Sequence, residues 1–322
     1  MALIDDVAIQ GGQMLLVVAA APLVTGVVRK AKARLMRRRG PSPFQPYRDL
    51  LRLFRKEVVL ADNASWLFRA APYLIFAATW VAAALVPTFA SGLPFSWAAD
   101  FIAIVALLGS ARFFLALAGM DTGAGFGGLG SSREMMIASI AEPAMMMIVF
   151  SIALLVGSTQ LSVIAATLLA TDVGLRVTLA LALVALVMVG LAENTRIPID
   201  NPATHLELTM VHESMVLEYS GRHLALIELA ASLKLLLYLS LIACLFLPWG
   251  IAPAEGAAAP RVPVYAIGVA AYGAKLALGC GLLALFETSI SKMRVFRVPT
   301  FLSAALMLAL LGTLLLFVSR GM

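Results

Sequence analysis

Eight apolar runs alternate with polar segments along the chain: Val7 to Val28, Ala71 to Phe89, Trp97 to Met120, Met135 to Gly157, Leu175 to Ala192, Leu224 to Trp249, Val264 to Phe286 and Thr300 to Val318. An α-helix needs about 20 predominantly apolar residues to cross a bilayer. Barrel strands would instead alternate within segments of about ten residues, a pattern that is missing here. The runs therefore predict an all-α integral membrane protein with about eight transmembrane helices. Leu161 to Ala170 is apolar but too short to span, and is expected to lie at the outer surface. After the first run, Tyr47, Leu50, Leu51, Phe54 and Val58 recur at helical spacing, with Arg48, Arg52 and Arg55 on the other side. This predicts an amphipathic surface helix. Such a helix suits either a lipid-facing position or a docking surface for soluble subunits.

Charge then orients the spans. The predicted inner loops carry eighteen basic residues, twelve of them between Arg29 and Arg69. The predicted outer segments carry only Arg176, Arg261 and Arg320. This bias follows the positive-inside rule and puts both termini outside. The first run is preceded by Asp5 and Asp6, not by a basic segment, which predicts an uncleaved helix rather than a signal peptide. Residues 1–322 read as a single membrane domain, with cytoplasmic loops at about 29–70, 120–135, 193–223 and 288–299. Of the 322 residues, 61% are hydrophobic and 13% charged, and the mean hydropathy is +0.96, which sets the chain apart from a soluble domain. The net charge of +6 lies in loops between spans, so it does not indicate nucleic-acid binding.

The candidate chemistry is confined to a few side chains. Arg112, Glu142, Glu228, Lys234 and Lys275 fall within apolar runs and need partners or water, because an ionised group at mid-bilayer costs from about 2.5 to more than 10 kcal/mol. Glu142, Glu193 and Glu228 are expected near one depth, towards the inner ends of their spans. Desolvated carboxylates at such positions can load and release a proton near neutral pH. They predict the inner end of a proton path, which Lys234 and Lys275 continue towards the middle. Each of these charges is equally compatible with a structural ion pair or a snorkelling end group. The glycine-rich segment Asp121 to Glu134 lacks the Lys and Ser/Thr of a phosphate loop and reads as a flexible connection with close helix packing. His212-Glu213 lacks the second histidine of a zinc-protease helix. Cys244 and Cys280, isolated in apolar runs, support neither an iron–sulfur cluster nor a structural zinc site.

The polar segment between the fifth and sixth runs holds Glu193, Arg196, Asp200, Glu207, Glu213, Glu218 and all three histidines, His205, His212 and His223. Its text Glu193-Asn194-Thr195-Arg196-Ile197-Pro198-Ile199-Asp200-Asn201-Pro202, followed by Glu218-Tyr219-Ser220-Gly221, resembles the long cytoplasmic loop of the complex I subunit 1 family. Arg37-Arg38-Arg39-Gly40-Pro41, Asp49 to Glu57 and Ala118 to Glu142 resemble other parts of that family in the same order. Quinone-using members resemble P-F-D-x-x-E-A-E at the first motif. Here Ile199 stands for the phenylalanine, and Ala203 or Thr204 for the first glutamate. Thr204-His205-Leu206-Glu207-Leu208-Thr209-Met210 with His212-Glu213 is more similar to the membrane anchors of formate hydrogenlyase and related group-four [NiFe] hydrogenases.

The resemblance implies a membrane anchor that docks a [NiFe] and iron–sulfur arm through its inner loops, including Arg196, Asp200, His205, Glu207, His212, Glu213 and Glu218. It implies coupling of the redox reaction to proton or sodium movement. It also implies hydrogenase large and small subunits, iron–sulfur subunits and antiporter-like membrane subunits as partners, in a bacterial cytoplasmic (inner) membrane. No redox centre, cofactor site or metal site is expected on this chain. The alternatives are a quinone-site subunit of a complex I-type NADH dehydrogenase, a stand-alone secondary ion transporter and an anchor with no ion path.

Overall fold

The computed structural model describes residues 2–170, 177–196, 211–253, 261–291, 293 and 297–320. Eleven helices appear among them: α1 (Ala2–Leu35), α2 (Gln45–Phe54), α3 (Trp66–Leu85), α4 (Phe101–Asp121), α5 (Gly125–Val156), α6 (Leu161–Ala170), α7 (Val177–Glu193), α8 (Val211–Val216), α9 (Gly221–Phe246), α10 (Arg261–Ser289) and α11 (Val298–Arg320). Seven of these, α1, α3, α4, α5, α9, α10 and α11, are long and apolar enough to cross a membrane. The remaining run, the fifth, appears as α7, with 17 described residues and a length of about 26 Å. It packs between α5 and α11. The protein is thus a helical, multi-pass membrane protein. Among the described residues, the only strands are two-residue segments, β1 (Ala90–Ser91) and β2 (Ala252–Pro253), which pair in parallel and join two of the connections between spans.

Helix α9 is the most enclosed of the long helices and lies against α1, α3 and α7. Its apolar side chains Leu233, Leu236, Leu237 and Leu241 are fully buried in the main core, together with Ile104 of α4, Ile148 of α5 and Leu186 of α7. We call the end that carries the basic segment 29–69 the inner end. At the outer end, Asp100 caps α4 by accepting the Ile102 N–H at 2.8 Å and also accepts the Thr159 hydroxyl at 2.6 Å. That holds the connection to α6, whose Leu161 and Ile164 are fully buried. At the inner end, Asp121 accepts the Ser65 N–H at 2.8 Å, while Ser65 caps α3 through Leu67. The end of α4 is thereby locked to the start of α3.

Two expectations are corrected. The glycine-rich segment is not a loop from 121 to 134, because α5 begins at Gly125 and only Thr122–Ala124 lie between α4 and α5. Two of its glycines, Gly127 and Gly130, allow the close helix packing that the sequence suggests. A Cβ on Gly127 would lie 2.0 Å from the Gly119 carbonyl oxygen, and one on Gly130 would lie 2.1 Å from Ser214 Oγ. The amphipathic helix is also shorter than its apolar spacing suggests. It ends at Phe54, and Glu57 to Leu60 leave the helix to bond with the start of α9. Val59 and Ser220 exchange two hydrogen bonds there, at 2.8 and 2.9 Å, which removes Val58 from the helix pattern.

The tight α4–α5 crossing makes a direct expectation. Gly127→Val forces a branched side chain against backbone and is expected to destabilise the protein by about 1–3 kcal/mol, the usual cost of overpacking. Thermal unfolding of the detergent-purified protein measures this. An unchanged melting temperature would contradict the crossing.

Candidate functional site

The guanidinium of Arg112 lies inside the helical bundle, with its side chain only 3% exposed. Three carboxylates surround it. Glu134 and Glu142 of α5 each approach at 3.5 Å, and Glu193, the last residue of α7, makes direct contact through Oε1. The other oxygen of Glu193 lies 3.3 Å from Lys234 Nζ on α9. Four helices therefore converge on one charge cluster. Glu134 and Glu142 are eight residues apart on α5, which sets them about 80° from one another on a helix with 3.6 residues per turn, and the forked guanidinium reaches both. The cluster contains three carboxylates and two cations.

Glu193 sits at the C-terminal end of α7, where the helix dipole disfavours a carboxylate. Arg112 and Lys234 offset that. The helix then closes on itself: the Arg196 N–H donates to the Leu191 carbonyl at 3.0 Å and the Thr195 N–H to Ala192 at 3.1 Å. This is the Schellman arrangement, with Thr195 at φ 47° in the position glycine usually takes. The closure turns Arg196 towards α10. There Glu287, with its side chain 2% exposed, accepts from Arg196 at 3.3 Å and from Lys32 of α1 at 2.9 Å.

A cavity of about 440 Å³ joins the two ion groups. Arg112, Glu134, Glu193 and Lys234 line one part, and Lys32, Arg196 and Glu287 another. Glu228, His212 and Glu213 line it as well. The ring nitrogen Nε2 of His212 is buried with no hydrogen-bond partner among the described residues. Apolar walls come from Val28, Ile75, Leu108, Leu115 and Ile227. This combination can hold water and redistribute charge along a line of acids and bases.

The expected residues separate into groups. Glu193 and Lys234 are in contact, Glu142 joins them through Arg112, and Glu228 faces the shared cavity. Glu142 also opens to the outer surface of α5, with 47% of its side chain exposed. Lys275 stands elsewhere: its ammonium lies over the Trp249 ring, 4.8 Å from the centroid. Glu218 is exposed, beside α8. Asp200, His205 and Glu207 lie outside the described residues. Sequence reasoning marked Arg112 as a charge needing partners but did not place it at the hub. It took Glu134 for the end of a loop, Lys32 for one of the basic residues of an inner loop, and Glu287 for the charge at the end of its apolar run.

The Glu218-Tyr219-Ser220-Gly221 motif is mostly structural. The Tyr219 ring stacks on Phe68 with centroids 4.0 Å apart, and its hydroxyl donates to the Phe68 carbonyl at 3.0 Å. Burial, with the Asp121 carboxylate adding to it, pushes the ionisation of this hydroxyl well above the ordinary tyrosine range. Gly221 has φ 53°, and a Cβ there would lie 2.5 Å from the Glu57 carbonyl oxygen. The motif thus fastens the α2–α3 connection to the start of α9.

Removing the hub should be costly. Arg112→Gln leaves buried carboxylates without their main counter-charge, a change of about 3–5 kcal/mol. Arg112→Lys, which keeps the charge, is expected to lose much less. Chemical denaturation of both variants reads it, and an equal deficit in the two would contradict the electrostatic account.

The family described as NADH dehydrogenase matches residues 9–318. The chain is 33% identical to formate hydrogenlyase subunit 4 of Escherichia coli K12, over 89% of this chain and 91% of that one. It is 36% identical to hydrogenase-4 component C of the same organism, over 74% of each. It is 29% identical to NADH-ubiquinone oxidoreductase chain 1 of Triticum aestivum, over 70% of this chain and 72% of the relative. Among solved structures, a chain of the membrane-bound sulfane sulfur reductase, an archaeal respiratory membrane complex, shares the fold, with a TM-score of 0.78 at 18% identity over 95% of this chain and 99% of that one. With nearly its whole length matched, the chain belongs to the NADH dehydrogenase family, as a homologue of complex I subunit 1.

Proposed function

We propose that the chain is the membrane anchor of a formate hydrogenlyase or hydrogenase-like complex in a bacterial inner membrane, and that it couples the redox reaction of a soluble arm to movement of protons or sodium ions. The observation that carries the coupling is the cluster of Glu142, Arg112, Glu134, Glu193 and Lys234, which opens onto a cavity beside the 193–223 segment. The cluster has one carboxylate more than it has cations, so taking up one proton neutralises it. A redox change in a docked arm shifts the local potential, and proton binding at the cluster responds by linkage.

The docking surface is the polar segment that contains Arg196, Asp200, His205, Glu207, His212, Glu213 and Glu218. The [NiFe] centre and iron–sulfur clusters reside on the partners, the hydrogenase large and small subunits and the iron–sulfur subunits. Antiporter-like membrane subunits receive the ion laterally, and Glu142, with 47% of its side chain exposed, is the member of the cluster open to such a neighbour. Glu228 serves as the cavity-side proton acceptor. Lys275, set apart at Trp249, acts at a later point of the path rather than within the cluster.

A quinone-site role is the second reading, favoured by the similarity to the Triticum aestivum chain and by the cavity. The cavity, however, is lined by many ionisable groups, whereas small-molecule pockets are mostly apolar with few polar groups. Mild-detergent purification through this chain, followed by metal analysis and assay, separates the readings. Stoichiometric nickel with iron and hydrogen evolution is the expected result. Iron without nickel, with inhibitor-sensitive quinone reduction, moves the protein to the second reading. A metal-free chain that purifies alone overturns both.

The ion path makes its own demand. Glu142→Gln or Glu193→Gln is expected to leave an assembled, redox-active complex whose ion movement in sealed vesicles falls on the order of tenfold or more. Unchanged coupling in an intact, active complex would remove the cluster from the path.

A further inference from the structure

The outward face of α2 takes no part in the cluster or the cavity, yet it has a definite chemistry. Arg48, Leu51, Arg52 and Arg55 follow one another at i, i+3, i+4 and i+7, so they share one side of the helix. All four are exposed, and together with Lys56 they line a surface hollow of about 440 Å³. Asp49 offsets one charge, pairing with Arg52 at 3.1 Å. Arg48, Arg55 and Lys56 form no ion pair among the described residues. Exposed apolar side chains flank these cations: Leu51 is 58% exposed, Phe44 59% and Phe54 46%.

The depth of the helix decides what meets this face. The segment leading into α2 folds back along the apolar run of α1. The Pro43 carbonyl packs on Gly26 so closely that a Cβ there would lie 1.9 Å from its oxygen, and the Tyr47 hydroxyl donates to the Ala19 carbonyl. At its other end, the Lys56 and Glu57 carbonyls lie against Gly221, the inner start of α9. Helix α2 therefore runs beside two membrane-crossing helices, at the level of the apolar run of α1, and its cationic face is left exposed at that level. A face that combines clustered cations with exposed apolar side chains at leaflet depth matches an amphiphile with an anionic head.

We infer that the Arg48, Arg52, Arg55 and Lys56 hollow binds the phosphate headgroup of an anionic phospholipid of the inner leaflet, with acyl chains lying along Leu51 and Phe54. The lipid fixes α2 against α1 and α9. Its binding does not depend on which soluble partners the chain carries.

The test uses the full chain, purified in mild detergent with its co-purifying subunits and delipidated by extended washing. Phosphatidylglycerol or phosphatidylcholine is then added, and bound lipid is counted by native mass spectrometry. The expected result is retention of phosphatidylglycerol by the wild type and binding weaker on the order of 100-fold in R48Q/R52Q/R55Q, as the loss of three headgroup-attracting cations requires. R38Q/R39Q, on neighbouring exposed arginines, is expected to bind like the wild type. Equal phosphatidylglycerol binding by R48Q/R52Q/R55Q and the wild type would overturn the proposal. So would equal loss in R38Q/R39Q, which would mean attraction by net charge alone. Inorganic phosphate raising the wild-type Tm as much as phosphatidylglycerol does would show an anion site without lipid. Release of soluble subunits by R48Q/R52Q/R55Q with lipid retained would make the face a protein-docking surface.

Discussion

A guanidinium in the interior of a membrane bundle constrains everything around it. Arg112 is buried within α4, and an unpaired charge at that depth is costly. Its pairing with Glu134, Glu142 and Glu193 therefore fixes how α4, α5 and α7 sit, and Lys234 draws in α9 through Glu193. Helices that share little hydrophobic driving force in lipid are held by packing and polar contacts. Here both operate: glycines bring α4 and α5 into backbone contact at one level, and the charge cluster ties them together at another.

In the proposed coupling role, the cluster of three acids and two bases is the group whose charge responds to the arm, and the cavity joins it to the second ion group around Glu287. The Thr195 closure places Arg196 on Glu287 directly before the segment proposed to dock the arm. In that proposal a displacement of the segment acts first on Glu287, Arg196 and Lys32, and through the cavity on Glu193. The cluster and the docking segment are linked by four residues of chain, from Glu193 to Arg196, which is a short mechanical path.

Much of the architecture was legible in the sequence, because each span must be a continuous apolar run and the runs are well separated by basic or polar text. The surface helix was legible from its spacing. The glycine-rich segment misled because glycine marks both loops and close helix contacts, and only the facing Gly119 and Ser214 distinguish the two. Arg112 was visible as an isolated charge, but its role as hub depends on which helices adjoin α4, and periodicity carries no such information. Glu134 was hidden for the same reason that the helix start was. The Tyr219-Ser220-Gly221 text stood out as a family motif, yet its work in fastening α9 to the segment after α2 emerges only from long-range contacts. Lys275 was grouped with the path by its depth alone, and the fold turns it towards Trp249.

The central claim is that the cluster around Arg112 exchanges a proton when the attached redox arm changes state. Redox-induced infrared difference spectroscopy on the assembled complex tests this most directly. The account expects a carboxyl band that appears or vanishes with reduction, shifts in heavy water, and is lost in Glu193→Gln. A difference spectrum in the carboxyl region that is the same in wild type and Glu193→Gln, from complexes of equal redox activity, would contradict it.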